Sequence, residues 1–151
     1  MKFIVDFMLG RLCKWLRLMG YDAVFFRGAD KNELIYESLK QRRVVLTRNA
    51  RITDKKVLKR VLVKSDDLNL QIRQLVEELG LTIYREKVFS RCIVCNSAIE
   101  EAARETVKDR VPAYVFQTRE KFFRCPGCDR VYWKGTHWDL VNRKLEGLQQ
   151  R

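Results

Sequence analysis

Two Cys-x-x-Cys pairs, Cys92/Cys95 and Cys125/Cys128, constrain this chain more than any other feature. Each pair can turn two thiolates onto one metal ion from a single tight turn, and four thiolates make a closed structural zinc shell. The stretch from Asn96 to Arg124 must then fold back so that the pairs meet. The alternative, two disulfides, belongs to oxidising compartments, and the chain carries no secretory marks. A closed tetrathiolate leaves no position open for water or substrate. Its expected role is to hold a small fold together, and any chemistry must lie elsewhere.

The zinc module uses only part of the 151 residues, and the rest suffices for one ordinary domain of about a hundred residues. Lys2 to Val5 is an apolar run that ends at Asp6. Apolar residues at 9, 12, 13, 16 and 19 follow with helical period, and Gly20 closes the helix. Ala23 to Phe26 reads as a second strand, Asp30 to about Gln41 as a helix, and Val44 to Thr47 as a buried strand. A short helix from Asp54, a strand at Val61 to Val63 and a helix with Leu68, Ile72, Leu75 and Leu79 on one face complete the pattern. Alternating strands and helices predict an α/β fold, a three-layer α/β/α sandwich with a mostly parallel sheet.

The alternation stops near Leu81. The expected domains are residues 1–81 and, after a linker over 82–89, a zinc ribbon with a C-terminal helix over 90–151. Within the ribbon, Ala98 to Val107 reads as helical, Lys121 to Arg124 and Val131 to Trp133 as hairpin arms about the second cysteine pair, and Trp138 to Leu148 as a closing helix.

No apolar run approaches the roughly 20 residues that span a bilayer, and Asp6 falls where a signal peptide would stay apolar. The expectation is a cytoplasmic protein with no membrane partner. Cys13 sits among Leu9, Leu12, Leu16 and Met19, so it reads as a buried, inert thiol. The 31 Lys+Arg against 19 Asp+Glu give a net charge of +12. Zinc thiolates lower it by about two, and the excess that remains favours a polyanion such as nucleic acid.

In open α/β sheets ligands gather at the carboxyl ends of strands, so acids directly after strands count most. Asp6 closes the first strand, Asp30 follows the second, and Asn49 follows the third. Such oxygen donors can hold Mg2+ or Mn2+, which can activate water and neutralise charge on a phosphodiester. Asp30-x-x-Glu33 fits a helix capping box equally well, and Asp54, Asp66 and Asp67 all stand where first-turn or capping acids stand. Arg11, Lys14 and Arg17 recur along one face of the first helix, available to phosphates or simply solvated. Arg48 lies beside the candidate site. Tyr132, Trp133, Lys134 and His137 place aromatics and cations together, a grouping that can stack bases or pack a small ribbon. With one His in the ribbon and Cys13 buried, a Ser-His-Asp or Cys-His nucleophile has no support, and no Gly-rich phosphate loop is present.

Several motifs fall in order: Phe3-Ile4-Val5-Asp6-x-x-Leu9-Gly10-x-Leu12-x-x-Trp15-Leu16-Arg17-x-x-Gly20-Tyr21-Asp22, then Leu46-Thr47-Arg48, then Arg91-Cys92-x-x-Cys95-Asn96, then Tyr132-Trp133-x-Gly135-x-His137. Over essentially the whole chain they resemble the Mut7-C ribonuclease-domain family, a PIN-like domain with a C-terminal zinc ribbon. The resemblance implies a PIN-like α/β/α fold and divalent-metal ribonuclease activity through clustered acids, with RNA as partner. It maps Asp6 and Asp30 onto family acids and Asn49 onto a position that usually holds Asp. An amide supplies a carbonyl oxygen but no charge, which implies weaker metal binding, recruitment of another acid such as Asp54 or Asp67, or RNA binding without cleavage. Gln71 also falls on a family position.

Overall fold

The alternating first half assembles as a four-stranded, all-parallel sheet. In the computed structural model, which describes residues 1–149, β1 (Lys2–Val5), β2 (Asp22–Phe25), β3 (Val44–Thr47) and β4 (Arg60–Leu62) lie in the order β2-β1-β3-β4. Parallel neighbours need crossovers. The helices α1 (Gly10–Leu18) and α2 (Lys31–Lys40) supply them on either side of β2, and α3 (Leu68–Leu79) follows β4.

Successive side chains of a strand point to opposite faces. Phe3, Val5, Leu46 and Val61 therefore share one buried cluster with Leu12, Cys13 and Leu16 of α1 and with Leu68, Ile72 and Leu75 of α3. Ile4 and Val45 point the other way, onto Leu34 of α2 with Ile52 and Val57. The result is the expected three-layer sandwich. Each fully buried Leu, Ile or Phe contributes about 1.5–3 kcal/mol, so the larger cluster anchors the fold. Burial pushes the Cys13 thiol above its ordinary pKa, against the opposing charge of Arg17, as an inert core cysteine requires.

Local chemistry fixes the helix ends. Asp30 and Asp67 cap α2 and α3, accepting from Asn32 N–H at 2.8 Å and Leu70 N–H at 3.0 Å. Gly20 ends α1 at φ 87°, where a Cβ would lie 2.5 Å from the Lys87 carbonyl oxygen, so only glycine fits.

In the second half one expectation fails. Ala98 to Val107 is not a helix: Glu100–Ala102 form β5, and Arg104–Val107 make only a 3-10 turn. Strand β5 pairs antiparallel with β6 (Phe122–Arg124), which pairs with β7 (Val131–Trp133). That register sets Ala102 beside Phe122 and Trp133 over Val107 and Val115, and this packing overrides a helix-prone composition. A short α4 (Ala113–Thr118) lies between β5 and β6. The closing helix α5 (Thr136–Gln149) returns to the first half, where Leu145 and Leu148 join the cluster of α1 and α3. Ile83 and Val88, within 82–89, are buried in that same cluster.

Candidate active site and zinc centre

The strand order reverses between β1 and β3, and ligands of open parallel sheets bind beyond the strand ends at such a reversal. Asp6 follows β1 and Asn49 follows β3, while Asp30 stands at the mouth of α2. All three line one cleft of about 270 Å3, with Phe7, Met8 and Lys31 around it and Leu34 and Ile52 beneath.

Asp6 is only 6% exposed, and a buried carboxylate is costly unless hydrogen-bonded. Its Oδ1 accepts from Phe7 N–H at 2.8 Å, and its Oδ2 accepts from the Thr47 hydroxyl at 2.6 Å. Thr47 is fully buried, and its Oγ1 in turn accepts from Asn49 N–H at 2.9 Å. The end of β3 thus fixes the orientation of the acid at the end of β1. Asn49 Oδ1 accepts from Arg51 N–H at 2.9 Å, closing a local turn. Ionised carboxylates offer about four acceptor sites, so capping by Asp30 leaves lone pairs for a cation. Two carboxylates and an amide oxygen suit a hard cation that retains several waters.

Among the described residues lining the cleft, Asp6 and Asp30 are the acids. Asp67 caps α3, Asp54 pairs with Arg60 at 3.1 Å, and neither lines the cleft, so recruitment of either is not what this fold provides. Arg48, expected at the site, is held in an ion pair by the exposed Asp66. Gln71 donates to the Ser65 carbonyl at 2.8 Å and ties down the β4–α3 loop.

The four cysteines do converge. Their sulfurs all lie within 4.8 Å of one another, the only such group of three or more ligands among the described residues, and none forms a disulfide. Cys92 and Cys128 sulfurs are 3.6 Å apart and those of Cys95 and Cys125 are 3.3 Å apart. Tetrahedral zinc with Zn–S of about 2.3 Å would space its sulfurs about 3.8 Å, so the donors fit. The two turns repeat each other. Asn96 N–H donates to Cys92 O at 3.0 Å and Asp129 N–H to Cys125 O at 2.8 Å, with Asn96 and Asp129 at φ 71° and 64°. Asn and Asp are the non-glycine residues that best tolerate this conformation. Gly127 lets the turns close, since a Cβ there would strike the Ser97 hydroxyl and come 3.1 Å from Cys95 Sγ.

The surroundings favour thiolate unevenly. The Ser97 hydroxyl and backbone N–H bring Cys95 down to about 6, while burial pushes Cys125 up to about 11. Tyr132 Oη lies 2.9 Å from Cys92 Sγ. Burial, then this neighbouring sulfur, raises the phenol's pKa, so it stays protonated and donates to the ligand. Tyr132 therefore supports the metal centre, and Trp133 packs into the ribbon core.

Arg17 is a correction. Spacing set it beside Arg11 and Lys14 as a phosphate contact, yet it is 7% exposed and points inward. Its guanidinium donates to Ala23 O at 2.8 Å, Ile93 O at 3.0 Å and Val94 O at 2.9 Å. It clamps the first cysteine turn to β2, where Asn96 Oδ1 also accepts from Ala23 N–H at 3.1 Å. Arg11 and Lys14 remain exposed on α1. Lys134 lies 4.7 Å over the Trp138 ring, and His137 is exposed. Both border a groove of about 620 Å3 between the ribbon sheet, at Phe123 and Tyr132, and Leu18 and Val88 of the α/β half.

Sequence reasoning missed Thr47 as a partner of Asp6, and Phe7, Met8 and Lys31 as cleft residues. The polar Thr47 closing an otherwise apolar strand was the available signal.

The family model for the Mut7-C RNAse domain matches residues 1–145, nearly the whole chain. No curated protein and no solved structure matches.

Proposed function

The chain belongs to the Mut7-C RNAse domain family, and from that premise we propose that it hydrolyses RNA phosphodiester bonds with Mg2+ or Mn2+ at the Asp6 cleft. The observation that carries this reading is the meeting of Asp6, Asp30 and Asn49 in one cleft at the sheet's reversal point. Asp6 and Asp30 would hold the cation and Asn49 would add its amide oxygen. A cation so held supplies a water of lowered pKa and neutralises charge on the phosphate. The protein's own groups do the rest. Thr47 holds the Asp6 carboxylate in one orientation, and Lys31 offers a positive charge beside the cleft. The exposed Arg11, Lys14, Lys134 and His137 would guide the RNA backbone, and Arg48 would join them only by leaving its ion pair with Asp66. The four cysteines would hold structural zinc, and thiols free to do so are what a reducing compartment such as the cytoplasm supports.

A second reading, RNA binding without turnover, is favoured by Asn49, which leaves the cleft with two carboxylates. Labelled RNA incubated with zinc-loaded wild type and Asn49→Asp, with Mg2+, Mn2+ or neither, separates the two. Metal-dependent cleavage by the wild type, faster in Asn49→Asp, supports the nuclease. Cleavage by Asn49→Asp alone supports the binding protein, and cleavage independent of added metal contradicts both.

A further inference from the structure

Phe7 and Met8 are 51% and 57% exposed, and both border the acid cleft. A lone exposed apolar side chain needs no explanation. Two in succession on the lip of a charged cleft are different, because the described residues leave about half of each uncovered and the groups beside them attract water. The turn that presents them is fixed at both ends. Phe7 N–H donates to Asp6 Oδ1 at 2.8 Å, Leu9 N–H donates to Asp6 O at 2.9 Å, and the Leu9 side chain is buried in the main cluster. The turn that orients the Asp6 carboxylate therefore also positions the Phe7 ring.

We propose that Phe7, with Met8 beside it, is the platform on which an unpaired nucleobase stacks while the adjoining phosphate sits at Asp6 and Asp30. This rests on the ribonuclease reading above and adds what selects the substrate there. Three observations name the occupant. The ring offers an apolar π face on a turn whose backbone is already fixed, so stacking need order only the side chain. The cleft beside it is lined by two carboxylates suited to a cation, with Lys31 next to them, and a cation held there would draw an anionic group beside the apolar one. A nucleotide has both in that order. The cleft, about 270 Å3, admits one such unit and no duplex, whose bases are stacked on each other and show no free face. Because every base has a π face, Phe7 confers selection for unpaired RNA and little selection among bases.

The test uses the zinc-loaded full chain with Ca2+ in place of Mg2+ and Mn2+, so that a cation still bridges the carboxylates and the phosphate, with fluorescence anisotropy of a short labelled single-stranded RNA and of a blunt RNA duplex. Phe7→Ala and Phe7→Leu should weaken single-strand binding roughly 5- to 150-fold, Phe7→Trp should retain it, and duplex binding should stay as in the wild type. Thermal melts of each variant confirm that the fold is kept, as expected for an exposed side chain. Single-strand affinity unchanged in Phe7→Ala, or lost equally in Phe7→Trp, would overturn the platform. A failure of the underlying reading shows differently, as RNA cleavage that persists in Asp6→Asn.

Discussion

The fully buried Thr47 hydroxyl makes two hydrogen bonds, donating to Asp6 Oδ2 and accepting from Asn49 N–H. Thr47→Val keeps the shape and removes the donor, leaving a buried carboxylate oxygen unpartnered. We expect a loss of about 1–3 kcal/mol of stability in urea titrations, and a fall in single-turnover cleavage that Thr47→Ser restores. Cleavage at the wild-type rate by Thr47→Val would contradict a positioning role. The place of Asp6 at the cleft was legible because an acid directly after an apolar strand falls at the sheet's ligand-binding end, but its cap on the Phe7–Leu9 turn was not. Its partner was not, since the two lie 41 residues apart and meet only through the β1–β3 pairing. Arg17 failed for the same reason: the carbonyls of Ile93 and Val94 that receive it lie 76 and 77 residues away.

At the scale of elements, the first cysteine turn covers the exposed edge of the sheet. Strand β2 ends the order β2-β1-β3-β4, and such an edge invites unwanted pairing unless covered. Asn96 takes Ala23 N–H with Oδ1 and gives Nδ2 to Asp22 at 2.7 Å, and Arg43 grips the same carboxylate at 2.7 Å. Burial alone would raise the Asp22 pKa, but the bonds from Arg43 and Asn96 outweigh it and hold the group below its ordinary value. A depressed folded-state pKa contributes stability that is full above the unfolded value of about 3.9 and is lost as pH falls through the folded value. Acid unfolding should therefore be less pH-dependent below about pH 4 in Asp22→Asn than in the wild type; equal slopes would deny the linkage. The knuckle spacing was fully legible from the two Cys-x-x-Cys pairs. Its docking partner was not, and neither was β5, because Glu100 to Ala102 becomes a strand only through its neighbour β6.

For the whole molecule, the cysteine module and the α/β sandwich are tied together, since α5 places Leu145 and Leu148 in the core of α1 and α3 and Arg17 bridges to the cysteine turn, so a zinc ion held there should stabilise both. Removing zinc with a chelator should lower the thermal midpoint of the entire far-UV signal, not of a ribbon-sized fraction. A first transition confined to a small part of the signal would show that the halves unfold independently. The net charge of +12 predicts RNA binding that weakens linearly in log affinity against log salt, with a slope reduced by Arg11→Gln and Lys14→Gln together. Charge and strand–helix alternation were legible at this scale because they are sums and periods; the return of α5 to the first half was not, because its apolar stripe does not say which surface it covers. The central claim is that the Asp6 carboxylate works in metal-dependent RNA cleavage. Its most direct test is the single-turnover cleavage rate in Mn2+ of zinc-loaded wild type and Asp6→Asn, whose amide oxygen can still accept from Phe7 N–H. The metal's contribution of several kcal/mol predicts a fall of at least about a hundredfold with zinc content kept and the thermal midpoint lowered no further than in Thr47→Val, and an undiminished rate in Asp6→Asn would contradict the account.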